Sequence, residues 1–327
     1  GCSKCLPVRC FRVFVEFEPS MVRFRSTFIV ILTLFSLFLS ACQVNSATEE
    51  TPSPTTVVLP MLSMTVPTQT STSQAKVETP SPTATQISIT DLSSLESELI
   101  PGVDWYILIR DANTGNNLFE RNADSSFPPA SMIKIPTAMA VLSILQDQGR
   151  TLEDLKTTGI NGRNFDSLLE AMVVRSEESA TDALEYFARG ENQLRKKLDG
   201  WGLVNTKYDP RTSTASELLN SLELLDTGTA LNRENTQYLL NLMDAFTEND
   251  QILLGKFNTQ LPECEFQNKR GTMLNPTIVA DMGILKCGEN SWYLVVAGTP
   301  SVDSTATFED IQASIESFAA TFAGLVK

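Results

Sequence analysis

Three groups of residues have types and spacing that could do chemistry. The first is Ser131-Met132-Ile133-Lys134, which follows a turn-forming Pro128-Pro129 and opens an apolar helical pattern from Met132 to Leu145. A separation of three places the Ser131 hydroxyl and the Lys134 amine on one helix face. At a helix start, unpaired N–H groups and the macrodipole favour developing negative charge. A hydroxyl beside an amine becomes a nucleophile when the amine can take its proton. A capping serine followed by a solvated lysine would spell the same pattern. Ser73-Gln74-Ala75-Lys76 does spell it, inside a Ser/Thr/Pro-rich stretch with no frame to hold it, and is set aside. The second group is Ser176, in a loop between two helical stretches and followed by Glu177-Glu178. The third is Lys269-Arg270-Gly271-Thr272, at the end of a strand-like run.

Composition narrows the chemistry. Histidine is absent from all 327 residues, which excludes Ser-His-Asp and Cys-His triads and histidine-based zinc or haem centres. Any general base must come from Lys, Asp, Glu, Tyr or Cys. A net charge of −14 is the wrong sign for a nucleic-acid surface, and no P-loop or Rossmann glycine loop is present. Cys2, Cys5 and Cys10 have no fourth thiol or histidine to complete a zinc site. The expectation is chemistry without nucleic acid, metal or cofactor.

The chain divides by composition. Residues 1–20 precede Met21 and read as upstream sequence or a start set too early. Met21-Val22-Arg23-Phe24-Arg25 is basic, and the apolar run 28–39 is short for a membrane span but suits an export signal. It ends in Leu39-Ser40-Ala41-Cys42, which resembles the lipobox of bacterial lipoproteins. The resemblance implies a signal peptide over 21–41, lipidation of Cys42, and a protein anchored to the bacterial cell membrane outside the cytoplasm. A plain signal peptide is the alternative. Residues 42–93 form a Ser/Thr/Pro-rich tether with too little apolar surface to offset ordering entropy.

Residues 94–327 are long enough for a sizeable core. Alternation and turn residues predict strands at 103–110 and 117–121 around Asn113-Thr114-Gly115, then the Ser131 helix. Residues 165–225 are mostly helical, with breaks near Ser179, Gly190, Gly200 and Asp209-Pro210, and a helix follows at 235–245. Strands are expected at 264–269, 278–285 and 291–297, and an amphipathic helix at 308–326. The class is α+β: an antiparallel sheet flanked by helices, with an inserted all-helical lobe. Cys264 and Cys287 lie equidistant from a turn at Asn275-Pro276, so a regular hairpin places them opposite at disulfide spacing. Two reduced core thiols are the alternative.

In this order the three groups resemble the Ser-x-x-Lys, Ser-Asp-Asn and Lys-Thr/Ser-Gly elements of the class A β-lactamase and penicillin-binding-protein superfamily. The resemblance spans residues 103–326 and includes Phe127-Pro128-Pro129-Ala130 and Val279-Ala280-Asp281-Met282-Gly283-Ile284. It implies that Ser131 is acylated, that Lys134 moves its proton, and that Ser176 passes a proton to the leaving nitrogen. Lys269 would supply positive potential. The backbone N–H groups of Ser131 and Thr272 would form the oxyanion hole. Arg270, Gly271 and Thr272 would line the substrate, with Gly271 leaving it room along a strand edge.

Three departures stand out. Where the family has an asparagine that bonds the substrate amide, this chain has Glu178, which either pairs with an ammonium or acts as a base if its pKa is raised. Arg270 replaces a hydroxyl residue, losing a carboxylate-binding hydroxyl but adding an anion-pairing guanidinium or a solvent-facing one. The family's Ω-loop glutamate has no counterpart in 202–216. Glu217-Leu218-Leu219-Asn220 resembles its signature but is one residue short, so Glu217 is expected on a helix surface and Asp209 in a turn. The expected function is a membrane-tethered serine hydrolase acting on β-lactams or D-Ala-D-Ala-type cell-wall peptides, with slow deacylation. The other reading, favoured by Glu178 and Arg270, is a catalytically weak or inactive lipoprotein of this fold that binds cell-wall peptide or a protein partner.

Overall fold

The computed structural model describes residues 92–245 and 251–327. The upstream segment, the export signal, Cys42 and most of the tether lie outside the described residues. Among the described residues, no helix is long and apolar enough to cross a membrane.

The frame is a five-stranded antiparallel sheet. Strands β1 (Val103–Asp111) and β2 (Asn117–Arg121) form a hairpin across the expected turn. Two short hairpins follow: β3 (Gly159–Ile160) with β4 (Arg163–Asn164), and β5 (Lys207–Tyr208) with β6 (Arg211–Thr212). Strands β7 (Glu265–Leu274), β8 (Thr277–Cys287) and β9 (Asn290–Pro300) complete the sheet in the order β2-β1-β9-β8-β7. Leu274 pairs with Thr277, so Asn275-Pro276 is a two-residue turn, and Cys264 and Cys287 are joined by a disulfide with Cα atoms 4.5 Å apart.

Because successive strand residues face opposite ways, a sheet covered on both sides is apolar throughout. Ile107, Leu108 and Ile109 are all buried, and they divide between two cores. Leu108, Ala280 and Val295 pack with Met132, Val141 and Leu218 of the helical lobe. Trp105, Ile107 and Val296 pack with Phe318 and Phe322 of the C-terminal helix Phe308–Val326. That helix starts at a capping box in which Thr307 and Asp310 satisfy each other's backbone N–H groups.

The helix Lys134–Asp147 is buried on every side from Lys134 to Leu145, so it is the axis of the lobe rather than a surface helix. It is preceded by a 3₁₀ turn, Ala130–Ile133, which carries Ser131. Two further helices, Phe165–Val173 and Glu178–Arg189, pack against it and are separated by the short loop that holds Ser176.

Candidate active site

A cleft of about 730 Å³ opens between the lobe and the edge strand β7. Ser131, Ser176, Glu178, Lys269, Arg270 and Thr272 all line it. The 3₁₀ turn, the interhelical loop and β7 thus bring all three groups to one place.

The backbone is held tightly there. Ala130, just before Ser131, has φ of 47°, and Ser176 has φ of 54°. Non-glycine residues in this left-handed region cost about 1–3 kcal/mol each and persist only where packing holds them. β7 presses directly on the turn: a Cβ on Gly271 would lie 2.8 Å from the Pro129 carbonyl oxygen and 2.9 Å from Met132 Cγ. Besides the substrate room that the resemblance implies for Gly271, its missing side chain lets the strand seat against the turn that presents Ser131.

The two lysines are buried and joined through Ser176. Lys134 is fully inaccessible, and its Nζ donates to Ser131 Oγ at 3.0 Å, to the Ser176 carbonyl oxygen at 2.8 Å and to Glu178 Oε1 at 2.5 Å. Lys269, also buried, donates from Nζ to Ser176 Oγ. Burial lowers the Lys134 pKa, and the Glu178 carboxylate only partly offsets this.

Glu178 has the opposite balance. Burial alone would raise its carboxyl pKa, but hydrogen bonds from Lys134 and Arg211 together outweigh it and hold the group below the usual glutamate range. The condition for a resting base, a raised pKa, is therefore not met. Of the two alternatives read from sequence, Glu178 takes the ammonium pairing.

Arg211, which sequence reasoning did not single out, completes this arrangement. Its guanidinium reaches Glu178 Oε2 at 3.0 Å, Glu185 Oε1 at 3.1 Å and Asp182 Oδ1 at 3.6 Å. The hairpin that carries it is anchored to the Lys134 helix, because Tyr208 Oη and Thr137 Oγ1 share a 2.9 Å hydrogen bond. An arginine on a two-residue strand, 33 residues from its partner, gives no local signal.

On β7, Arg270 sits opposite Asp281 of β8 in register. Asp281 is fully buried and accepts from Asn268 Nδ2 at 3.0 Å on both oxygens. Burial pushes its pKa up to about 7, although Asn268, Arg270 and Lys269 all pull it down.

Two acidic residues need placing. Glu217 is not on a helix surface: it is buried at the start of helix Ala215–Asp226. Its Oε1 accepts from the Asn205 backbone N at 2.7 Å and Nδ2 at 2.9 Å, and its Oε2 accepts from Thr206 Oγ1 at 2.8 Å. The segment before β5 folds over it, so a carboxylate that looked solvated is a structural tie. Asp209 lies in the β5–β6 turn as expected, and it borders a separate recess with Leu194, Leu198 and Tyr208. Neither carboxylate lines the cleft.

A sheet with helices on both faces, and a Ser-x-x-Lys serine at the head of a buried helix, define the β-lactamase and penicillin-binding-protein class of fold. The β-lactamase enzyme family matches residues 89–319, and the chain belongs to that family. No curated protein is similar to it in sequence. Among solved structures, the TLA-1 extended-spectrum β-lactamase is similar with a TM-score of 0.61 at 17% identity, over 74% of this chain and 100% of that one. A β-lactamase from Chitinophaga pinensis DSM 2588 gives 0.60 at 16%, over 73% and 100%. PBP-A gives 0.59 at 16%, over 72% and 95%. These identities speak for the fold; the chemistry has to be argued from this chain's own residues.

Proposed function

We propose that this protein is a serine hydrolase of the β-lactamase type that forms an acyl-enzyme on Ser131. Its substrates are β-lactams or the D-Ala-D-Ala-type cell-wall peptides of the same geometry. It works outside the cytoplasm of a bacterium, held to the membrane by a lipid on Cys42 and reaching outward on the 42–93 tether. The observation that carries the reading is the buried Lys134 amine 3.0 Å from Ser131 Oγ.

Lys134 in its neutral form accepts the Ser131 proton as Oγ bonds to the substrate carbonyl carbon. The oxyanion lies against backbone N–H groups of Ser131 and Thr272. The proton passes through the Ser176 hydroxyl to the leaving nitrogen as the C–N bond breaks, and Lys269 supports the Ser176 oxygen and the substrate carboxylate. Burial, which lowers the Lys134 pKa, favours the neutral amine this requires.

Deacylation is slow. It needs a base for water, yet Glu178 is held ionised by hydrogen bonds from Lys134 and Arg211, Glu217 is tied to Asn205 and Thr206, and Asp209 borders another recess. A second reading has one observation in its favour: the 2.5 Å contact of Lys134 with Glu178 stabilises the ammonium, which cannot accept a proton. On that reading the protein binds cell-wall peptide or a partner without turning it over. A chromogenic cephalosporin separates the two. Stoichiometric ring opening followed by slow turnover, absent in Ser131→Ala, supports catalysis; no colour change with either protein refutes it.

A further inference from the structure

We propose that the cleft selects substrates with a cationic amine on the acyl side of the scissile bond. The proposal deepens the acyl-enzyme reading above and rests on it. It follows from which donors and acceptors this cleft leaves available around Ser131.

On the Glu178 side, the donors are already engaged. Lys134 Nζ spends its hydrogen bonds on Ser131 Oγ, the Ser176 carbonyl and Glu178 Oε1. Arg211 turns its guanidinium to Glu178, Glu185 and Asp182. Arg175, which also lines the cleft, is paired with Glu170 at 2.5 Å. What this wall offers the cleft is the Glu178 carboxylate, whose side chain is 58% exposed.

A carboxylate only accepts hydrogen bonds. Each Glu178 oxygen takes one donor, Lys134 on Oε1 and Arg211 on Oε2, and each keeps a lone pair. A substrate carbonyl placed there would meet oxygen with oxygen, whereas an ammonium or N–H completes the set. Glu178 is also close to the reacting atom: Oε1 is 2.5 Å from Lys134 Nζ, which is 3.0 Å from Ser131 Oγ. With the leaving nitrogen directed to Ser176 and Lys269, the acyl substituent is the one that faces Glu178.

Arg211 acts here as a positioning residue, since it helps keep Glu178 charged without itself lining the cleft. The charged groups around Glu178 are Lys134 from the central helix, Arg211 from β6, and Asp182 and Glu185 from its own helix.

The test uses benzylpenicillin and ampicillin, which differ by one amine on the acyl side chain. Second-order acylation rates are measured on the full-length chain in detergent by intact mass. A charge-assisted contact to a half-exposed carboxylate predicts a preference for ampicillin of about 5- to 10-fold. That ratio falls towards one in Glu178→Gln, and in the wild type as pH rises through the titration of the ampicillin amine. Because both drugs are read on the same protein, a general loss of rate in the variant cancels. If Glu178→Gln does not fold, the wild-type pH series decides alone. Equal rates, a preference for benzylpenicillin, or a ratio indifferent to both changes overturns the proposal. If neither drug acylates the wild type, the acyl-enzyme reading fails instead, and the thermal shift produced by each drug then decides. A larger shift with ampicillin that is lost in Glu178→Gln supports the selectivity, and equal shifts overturn it.

Discussion

Asp281→Asn is the sharpest perturbation of the strand pair that carries Lys269. Asp281 is fully buried, and its pKa rises from the usual 3.8 to about 7. For a carboxyl whose folded pKa is raised, the native state binds the proton more tightly than the unfolded chain. The contribution to stability is therefore complete below about pH 4 and is lost as pH rises through about 7. At about 1.4 kcal/mol per pH unit the full effect is on the order of 4 kcal/mol, and more than half of it falls between pH 5 and pH 8. Asparagine keeps the shape but does not ionise. At pH 5 the variant should be less stable by about 1 kcal/mol, because one of its two polar atoms no longer accepts from Asn268. At pH 8 the order should reverse, with the variant more stable by about 1–2 kcal/mol. Urea unfolding of both proteins at pH 5, 6, 7 and 8 measures the difference directly. A difference that stays constant within about 0.5 kcal/mol over this range would refute the argument that Asp281 is a buried, readily protonated carboxyl.

Three other outcomes follow from the structure. Glu217→Ala leaves the Asn205 N–H, the Asn205 amide and the Thr206 hydroxyl without their acceptor, and should cost about 2–4 kcal/mol in urea unfolding; a loss below about 0.5 kcal/mol would return Glu217 to the surface role expected from sequence. Gly271→Ala puts a methyl 2.8 Å from the Pro129 carbonyl, so it should destabilise by about 1–3 kcal/mol and slow acylation by displacing the Ser131 turn; wild-type rates would show that the strand and the turn are not in register contact. Replacing both Cys264 and Cys287 by serine opens a loop of sequence separation 23 and should lower stability by about 3 kcal/mol while leaving the acylation rate intact; a loss of acylation without a loss of stability would contradict a purely structural bond.

Much of the frame was legible because it is written locally. β2 and the C-terminal helix begin and end where the pattern placed them, since Asn113-Thr114-Gly115 marks one and the Thr307–Asp310 capping box marks the other. The disulfide followed from the symmetry of the hairpin turn. β7, by contrast, runs to Leu274 rather than ending at 269. Its second half has little alternation, and pairing with β8 and the seat of Gly271 against Pro129 hold it straight.

The site divides the same way. Ser131 and Lys134 are three residues apart, so helix geometry predicts their contact. Lys269 and Ser176 are 93 apart and Lys134 and Glu178 are 44 apart, and family resemblance supplied those groupings. What neither route supplied was the choice between alternatives. Glu178 pairs rather than acting as a resting base because Lys134 donates to it and Arg211 joins from a hairpin 33 residues downstream. Glu217 is buried because Asn205 and Thr206 fold back over it, and no periodicity in its own helix records that.

Acylation of Ser131 is tested by intact mass after brief exposure to benzylpenicillin, followed by peptide mapping. One adduct of the drug's full mass should appear on the peptide containing Ser131, decay slowly and be missing from Ser131→Ala. A protein whose mass is unchanged while the drug stays intact, or an adduct that persists in Ser131→Ala, would contradict it.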